Sequence, residues 1–330
     1  MATPLSIAQS QPLPAASLEA ARQAAETFAK ASRAASTWRA YESDWRLFMA
    51  WCAGVGCVAL PAEAATVALF LASQAKLGIA PATLSRRLAA IRLMHLGARV
   101  ASPHAALEVN EVMRGIRRAW KRPVAQKAPA VDEEIKRMVD AVEAQTLKGL
   151  RERALLLLGF AGAFRRSELI GLDTQHLTQR AEGLEVLIAN SKTDQEGAGQ
   201  MVAVARVAHS PYCPVQAVSD WLVAADISTG AVFRTMHRGD TVGKTRLSAQ
   251  SVALIVKGLA AKAGLEASRY AGHSLRSGFL TSAARNRASI FKMAEQSRHK
   301  SLDVLREYVR DEERFEDHAA EGLLRSGPRA

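Results

Sequence analysis

The sequence predicts a mainly α chain of two domains: a basic helical module, then a larger mixed unit holding a small antiparallel sheet. Three observations carry this. The 330 residues are more than one hydrophobic core ordinarily serves. Apolar residues recur at helical spacing through most of the chain, and only two short runs, 184–189 and 201–205, read as strands. Charge is also uneven: residues 1–127 hold 16 Lys and Arg against 7 Asp and Glu, whereas the remainder has 28 against 25, out of a net +12. Such a basic balance favours a polyanionic partner, although a solvated basic surface gives the same count.

Residues 1–16, with Pro4, Pro12 and Pro14 among Ala, Ser and Gln, read as a disordered leader. The helical module then spans 17–121. Ser36 or Thr37 suits the cap of a helix whose Trp38, Tyr41, Trp45, Phe48, Met49 and Cys52 form one stripe, read as core in preference to a base-stacking platform. Pro61 suits the first turn of a second helix, 62–76, closed by Gly78. A third, 83–96, turns Leu84, Leu88, Ile91 and Met94 inward and leaves Arg86, Arg87 and Arg92 mostly off that face. A fourth, 106–120, buries Val109, Val112, Met113 and Ile116, with Arg114, Arg117, Arg118, Lys121 and Arg122 gathering toward its end, where cations also favour the helix dipole. Residues 122–130, with two prolines, Lys127 and no apolar periodicity, read as the linker.

The second domain, 131–310, opens on Val131-Asp132-Glu133-Glu134, acids in a first helical turn. A buried helix over 150–164 and a segment 165–172 follow. The two strand-like runs flank a polar stretch around Ser191-Lys192-Thr193, which fits a β-hairpin with a long tip. Residues 214–224, 248–263, 273–285 and 301–308 read as helices.

Several classes are excluded. The longest near-continuous apolar run, 154–164, is about half of what a bilayer span needs. The N-terminus lacks the basic start and apolar stretch of a signal peptide, which points to the cytoplasm. Cys52, Cys57 and Cys213 are scattered without a CxxC and read as buried small hydrophobes, not as a disulfide framework or zinc site. Asp311-Glu312-Glu313 reads as a solvated face, so no metal cluster is expected.

Four segments carry chemistry only when taken together. They are Ala163-Phe164-Arg165-Arg166-Ser167-Glu168-Leu169, the hairpin tip with Lys192, the run Gly272-His273-Ser274-Leu275-Arg276, and Arg298-His299-Lys300-Ser301 leading to Tyr308. Singly, each has a structural explanation: Arg165 pairing with Glu168 at i,i+3, Lys192 exposed on a hairpin, His273 capping a helix, His299 in a loop, Tyr308 flanking an apolar stripe. In this order, with nine residues from His299 to Tyr308, they resemble the tyrosine recombinase (phage integrase) family, which includes Cre and the Xer recombinases. The layout resembles it too, with a helical (SAM-like) core-binding domain, a linker and an α+β catalytic domain. Arg165 is matched to the first family arginine because it stands two places before Ser167-Glu168-Leu169, although Arg166 makes a second one available. Arg298 stands where relatives have a glycine.

The resemblance implies a site-specific recombinase that cuts and rejoins duplex DNA through a Holliday junction, without cofactor or metal. Tyr308 would attack phosphorus to give a 3′-phosphotyrosine, and Arg165 and Arg276 would grip the nonbridging oxygens. Lys192 would protonate the leaving 5′-oxygen, His273 would assist the tyrosine proton or orient the phosphate, and His299 would bond a nonbridging oxygen. Glu168 would position an arginine or histidine. Arg86, Arg87, Arg92, Arg114, Arg117, Arg118, Lys121, Arg122 and Lys127 would contact DNA. Implied partners are double-stranded DNA with an inverted-repeat site, a homotetramer on that DNA and accessory proteins, in the cytoplasm at the nucleoid. A C-terminal helix in 311–330, with Phe315, Ala319, Leu323 and Leu324 as its apolar face, would dock on a neighbouring subunit. Two other readings remain: a DNA-binding protein of this fold without chemistry, and a type IB topoisomerase that relaxes any supercoiled plasmid.

Overall fold

The computed structural model describes residues 15–120, 127–189, 199–312 and 320. The chain divides into two compact units, Met1–Val124 and Ala125–Ala330. In the first, α1 (Ala15–Ala31) precedes four helices packed on one another: α2 (Ala35–Val55), α3 (Ala64–Lys76), α4 (Pro81–Gly97) and α5 (Leu107–Ala119). Helix α1 is exposed along its described side chains and was not foreseen, because its alanine-rich sequence has no partner face. The core is Phe48, Cys52, Val67, Phe70, Leu71, Leu84, Ile91, Val109 and Met113. Phe48 packs edge-on to Phe70 with centroids 5.0 Å apart, and Trp45 and Trp51 extend the cluster. The aromatic stripe is therefore mainly structural.

His95 is fully buried in this unit: its Nε2 accepts the Ala62 N–H at 2.9 Å, while Nδ1 donates to the Ile91 carbonyl at 2.8 Å. The two bonds tie the entry of α3 to α4. Two helix starts differ from expectation. Helix α2 begins after Ala34 without a side-chain cap, so Ser36 and Thr37 lie in its first turn, and α3 starts at Ala64, beyond Pro61.

The second unit is built around α7 (Leu147–Ala161), whose Ala154–Leu158 are buried on all faces. Against it lie α6 (Asp132–Asp140), α9 (Pro214–Ala224) and α11 (Ser274–Arg285), with α8 (Arg166–Gly171) and α10 (Ala249–Lys262) completing the core. Asp240 accepts the Leu147 and Lys148 backbone N–H groups at 2.6 and 2.8 Å and so satisfies the open end of α7. The strands β1 (Leu177–Gln179), β2 (Gly183–Ile188) and β3 (Gln200–Ala205) form an antiparallel sheet in that order, with Val186 opposite Val202. A second hairpin, β4 (Arg234–His237) and β5 (Thr241–Arg246), was not anticipated, since its charged and mostly exposed residues lack the alternation of a half-buried strand. Helices α12 (Ile290–Ser297) and α13 (Asp303–Glu312) pack Met293 and Leu305 against Leu280 and Ala284 of α11.

The segment read as linker is shorter at its end. The Ala128 N–H donates to the Arg269 carbonyl at 2.8 Å and the Ala130 N–H to that of Ser274 at 2.9 Å, and Ala130 is fully buried, so 128–130 belong to the second unit. Residues 311–312 continue the helix that bears Tyr308. The leader to residue 14, residues 122–126 and most of 313–330 lie outside the described residues. The three cysteines are free; Cys52 and Cys213 are buried, whereas Cys57 is only half-buried. No helix among the described residues is long and apolar enough to cross a membrane.

Candidate active site

Arg165 stands immediately before α8, and Glu168 one turn into it. The Glu168 carboxylate accepts the Arg165 backbone N–H at 2.8 Å through Oε2 and the Arg165 guanidinium at 2.6 Å through Oε1. The local pair read from the sequence therefore does more than decorate a surface: it fixes the arginine at the helix start while 20% of its side chain stays exposed. Arg166 points outward, its stem beside Gly272.

Arg276 comes from the first turn of α11 and is 1% exposed. Its Nη1 donates to the Ala163 carbonyl at 2.7 Å, and its Nη2 faces the His299 ring at 3.4 Å from Nε2. Burial, reinforced by the like charges of Arg165 and Arg298, pushes this guanidinium down to about 9, which leaves it charged at neutral pH. Desolvating a cation so far is costly unless an anion arrives, and a site poised in this way favours an anionic ligand.

His299 follows α12. Ser297 Oγ donates its single proton to the Met293 carbonyl at 2.6 Å, so the 2.7 Å contact with His299 is Nδ1–H donating to Oγ. Nε2 then carries the lone pair and faces Arg276. Burial first, and Arg276, Arg165 and Arg298 next, push the imidazole down to about 4. His273, at the N-terminus of α11, caps nothing with its side chain, and partial burial followed by Arg276, Arg165 and Arg166 lowers it as well. Both imidazoles are neutral at pH 7.

Tyr308 lies half-buried on α13 against the Leu280, Met293 and Leu305 cluster. Burial raises its phenol above the ordinary value, and the nearby Arg276 charge opposes that rise. The structure thus brings Arg165, Glu168, His273, Arg276, His299 and Tyr308 into one electrostatic neighbourhood. Lys192 lies outside the described residues.

One member was missed. Arg298 is buried, and its Nη2 pairs with Glu168 Oε2 at 2.7 Å while the guanidinium sits 5.1 Å over the Phe164 ring. Burial alone would raise Glu168, but Arg298 and then the Arg165 backbone and side chain hold it below the usual carboxylate value. The signal available in the sequence was an arginine at a position that relatives fill with glycine.

The cations of the first unit separate. Arg92, Arg114, Arg117 and Arg118 are exposed, with Arg117 touching Ser85 Oγ at 3.3 Å. Arg86 makes a two-pronged pair with buried Asp44, at 2.7 and 3.1 Å, and stays half exposed. Arg87, expected from the sequence to contact DNA, is only 12% exposed and is held by Asp44 and the Gln74 amide oxygen. It serves the core of the unit. Lys127 Nζ donates to the Ser268 carbonyl at 2.7 Å, and Lys121 and Arg122 lie outside the described residues.

Buried Arg276 beside the Tyr308 phenol, with half-buried Arg165 and two neutral imidazoles close to Arg276, makes a site whose charge and hydrogen-bond donors suit an anionic group such as a phosphate. The phage integrase family model matches residues 131–314. The chain is 38% identical over 294 residues to an integrase/recombinase xerD homolog of Selenomonas ruminantium, covering 87% of this chain and 85% of that one. It is 25% identical over 286 residues to the tyrosine recombinase XerD of Xanthomonas axonopodis pv. citri, covering 84% and 87%. In fold it is similar to a lambda integrase dimer bound to a COC′ core site, with TM-score 0.57 at 15% identity over 90% of this chain and 78% of that one. It is similar also to the Tn1549 transposon integrase in complex with transposon right end DNA, with TM-score 0.60 at 11% identity over 88% and 95%. The chain belongs to the phage integrase family: it is a tyrosine recombinase.

Proposed function

We propose that this recombinase cuts and rejoins duplex DNA at a site made of inverted repeats, through a 3′-phosphotyrosine on Tyr308 and a Holliday junction formed within a homotetramer. The observation that carries the reading is the pair of guanidiniums, Arg165 and Arg276, one half-buried and one fully buried, gathered with His299 and Tyr308. Two fixed forks of this kind match the nonbridging oxygens of one phosphate.

In the reaction the Tyr308 hydroxyl oxygen forms the new bond to phosphorus while the bond to the 5′-oxygen breaks. His273, neutral at pH 7, takes the phenolic proton, and Lys192 gives a proton to the departing oxygen. His299 donates to a nonbridging oxygen once Nε2 is protonated, a change the phosphate charge favours. Bond energy is conserved in the phosphotyrosine, so religation by a new 5′-hydroxyl needs no nucleotide cofactor. Glu168 holds Arg165 in place.

The first unit supplies affinity through Arg86, Arg92, Arg114, Arg117 and Arg118, joined by Lys121, Arg122 and Lys127 at the connection, and the second does the chemistry. The tetramer is cyclic, each C-terminal segment 313–330 seating Phe315, Leu323 and Leu324 on its neighbour. An apolar cavity of about 470 Å³ lined by Ile135, Leu157, Phe160, Tyr212 and Phe279 is of a size to receive such anchors. The protein works in the cytoplasm, at the nucleoid.

The test is a covalent trap. Protein is mixed with fragmented DNA from its source replicon, denatured with detergent, and the attached DNA is sequenced beside a Tyr308→Phe control. Attachment at a few inverted-repeat sites that the control lacks is the expected result. No attachment despite DNA binding would refute catalysis, and attachment everywhere would indicate a topoisomerase.

A further inference from the structure

Arg298 closes α12 with φ 59° and ψ 40°, the left-handed conformation that glycine adopts without steric cost. An arginine retained there is strained, and its side chain turns inward. Its Nη1 donates to the Gly162 carbonyl at 3.0 Å and to that of Gln296 at 2.7 Å; its Nη2 donates to the Ala163 carbonyl at 2.9 Å and to Glu168 Oε2 at 2.7 Å. Two of these acceptors already hold the other arginines. Glu168 is shared with Arg165, and the Ala163 carbonyl is shared with Arg276. One guanidinium thus touches both anchors of the phosphate grip, from about 130 residues away in sequence.

Charge follows from the same contacts. Arg165, Arg276 and Arg298 against Glu168 leave the described charged residues of the grip at +2. Without Arg298 they would stand at +1, with the whole Glu168 charge facing Arg165. A phosphodiester carries one negative charge, and the phosphorane-like transition state carries two. A cluster matched to two charges therefore favours the transition state over the bound substrate.

We propose that Arg298 is a positioning residue for strand cleavage: by sharing Glu168 with Arg165 and the Ala163 carbonyl with Arg276, it aims both guanidiniums and supplies the charge that the transition state matches. The inference rests on the recombinase reading above.

The probe is a duplex carrying the site recovered by the covalent trap, nicked beside the cleavage point so that the short strand diffuses away and the tyrosine adduct accumulates. Arg298→Gly relieves the backbone strain but leaves buried Glu168 and three carbonyls without this partner, so a lower melting temperature is expected and cleavage is read at a temperature where circular dichroism shows the variant fully folded. Adduct formation in a single turnover should fall about 100-fold, while affinity for the intact duplex stays within about 2-fold. Adding Glu168→Gln to Arg298→Gly returns the grip to +2 and should recover about 10-fold of the loss. Arg298→Lys should fall between Arg298→Gly and the wild type. Cleavage by Arg298→Gly within about 3-fold of the wild type would overturn the inference, as would a double variant no faster than the single one. Those outcomes leave the recombinase reading standing; failure of the wild type to form an adduct that Tyr308→Phe abolishes would overturn both.

Discussion

Gly278 offers a test of how closely the chain packs over α11. It lies on α11, two residues past Arg276, where the segment leading into α6 packs against the helix at Ala130. A Cβ at this position would overlap the carbonyl carbon and oxygen of Ala130 and stand 2.9 Å from its nitrogen. Backbone cannot rotate away as a side-chain tip can. Gly278→Ala must push the segment off the helix and strain the Ala130-to-Ser274 bond and the 3.0 Å bond from the Asp132 N–H to Ser282 Oγ. Overpacking costs about 1–3 kcal/mol and each lost hydrogen bond about 1 kcal/mol, against about 1 kcal/mol gained from alanine's helix preference. The net loss is about 3 kcal/mol, or about 6–12 °C in the melting of a unit this size. Gly258, exposed on α10 with nothing within 4 Å of its would-be Cβ, gives the opposite sign, about 0.5–1 kcal/mol more stable on changing to alanine. Differential scanning calorimetry of the full chain reads both variants. Equal melting of Gly278→Ala and the wild type would refute the close approach as the reason for glycine.

Three further outcomes are expected. Arg87→Ala should destabilise the first unit by about 1–2 kcal/mol in denaturant melts, whereas Arg92→Ala should leave stability within about 0.5 kcal/mol and reduce the salt dependence of DNA binding by about one charge. Because His299 is pushed from 6.5 to about 4 in the folded chain, its contribution is complete above pH 6.5 and is lost as pH falls toward 4. Discounted for partial exposure this is about 2 kcal/mol, and His299→Gln should show a flatter decline of melting temperature between pH 7 and 4.5. Deleting 313–330 should abolish recombination between two DNA copies while leaving cleavage of a single nicked site intact, as gel assays of both reactions would show; unchanged recombination would refute the head-to-tail tetramer.

Much of the fold was legible because helices announce themselves locally. The Leu84, Leu88 and Ile91 spacing and the Val109 to Met113 step need no knowledge of the partner face, and the structure packs those residues together. The antiparallel β2–β3 hairpin was equally readable, being two apolar runs joined by a polar stretch. The β4–β5 hairpin was not: its strands are charged and mostly exposed, and hydrogen bonds to the partner strand define them.

The sequence by itself determined the family, the helical character of both units, and the order in which Arg165, His273, Arg276, His299 and Tyr308 arrive, because motif order and periodicity survive in one dimension. Tertiary structure alone decided that Arg87 serves a buried Asp44, that Gly278 lets the chain close over α11, and that Arg298 holds Glu168 and the Ala163 carbonyl. Those facts depend on groups 43 to 148 residues apart meeting at a few ångströms in a medium without water, where an unpaired charge or an extra methyl group is intolerable.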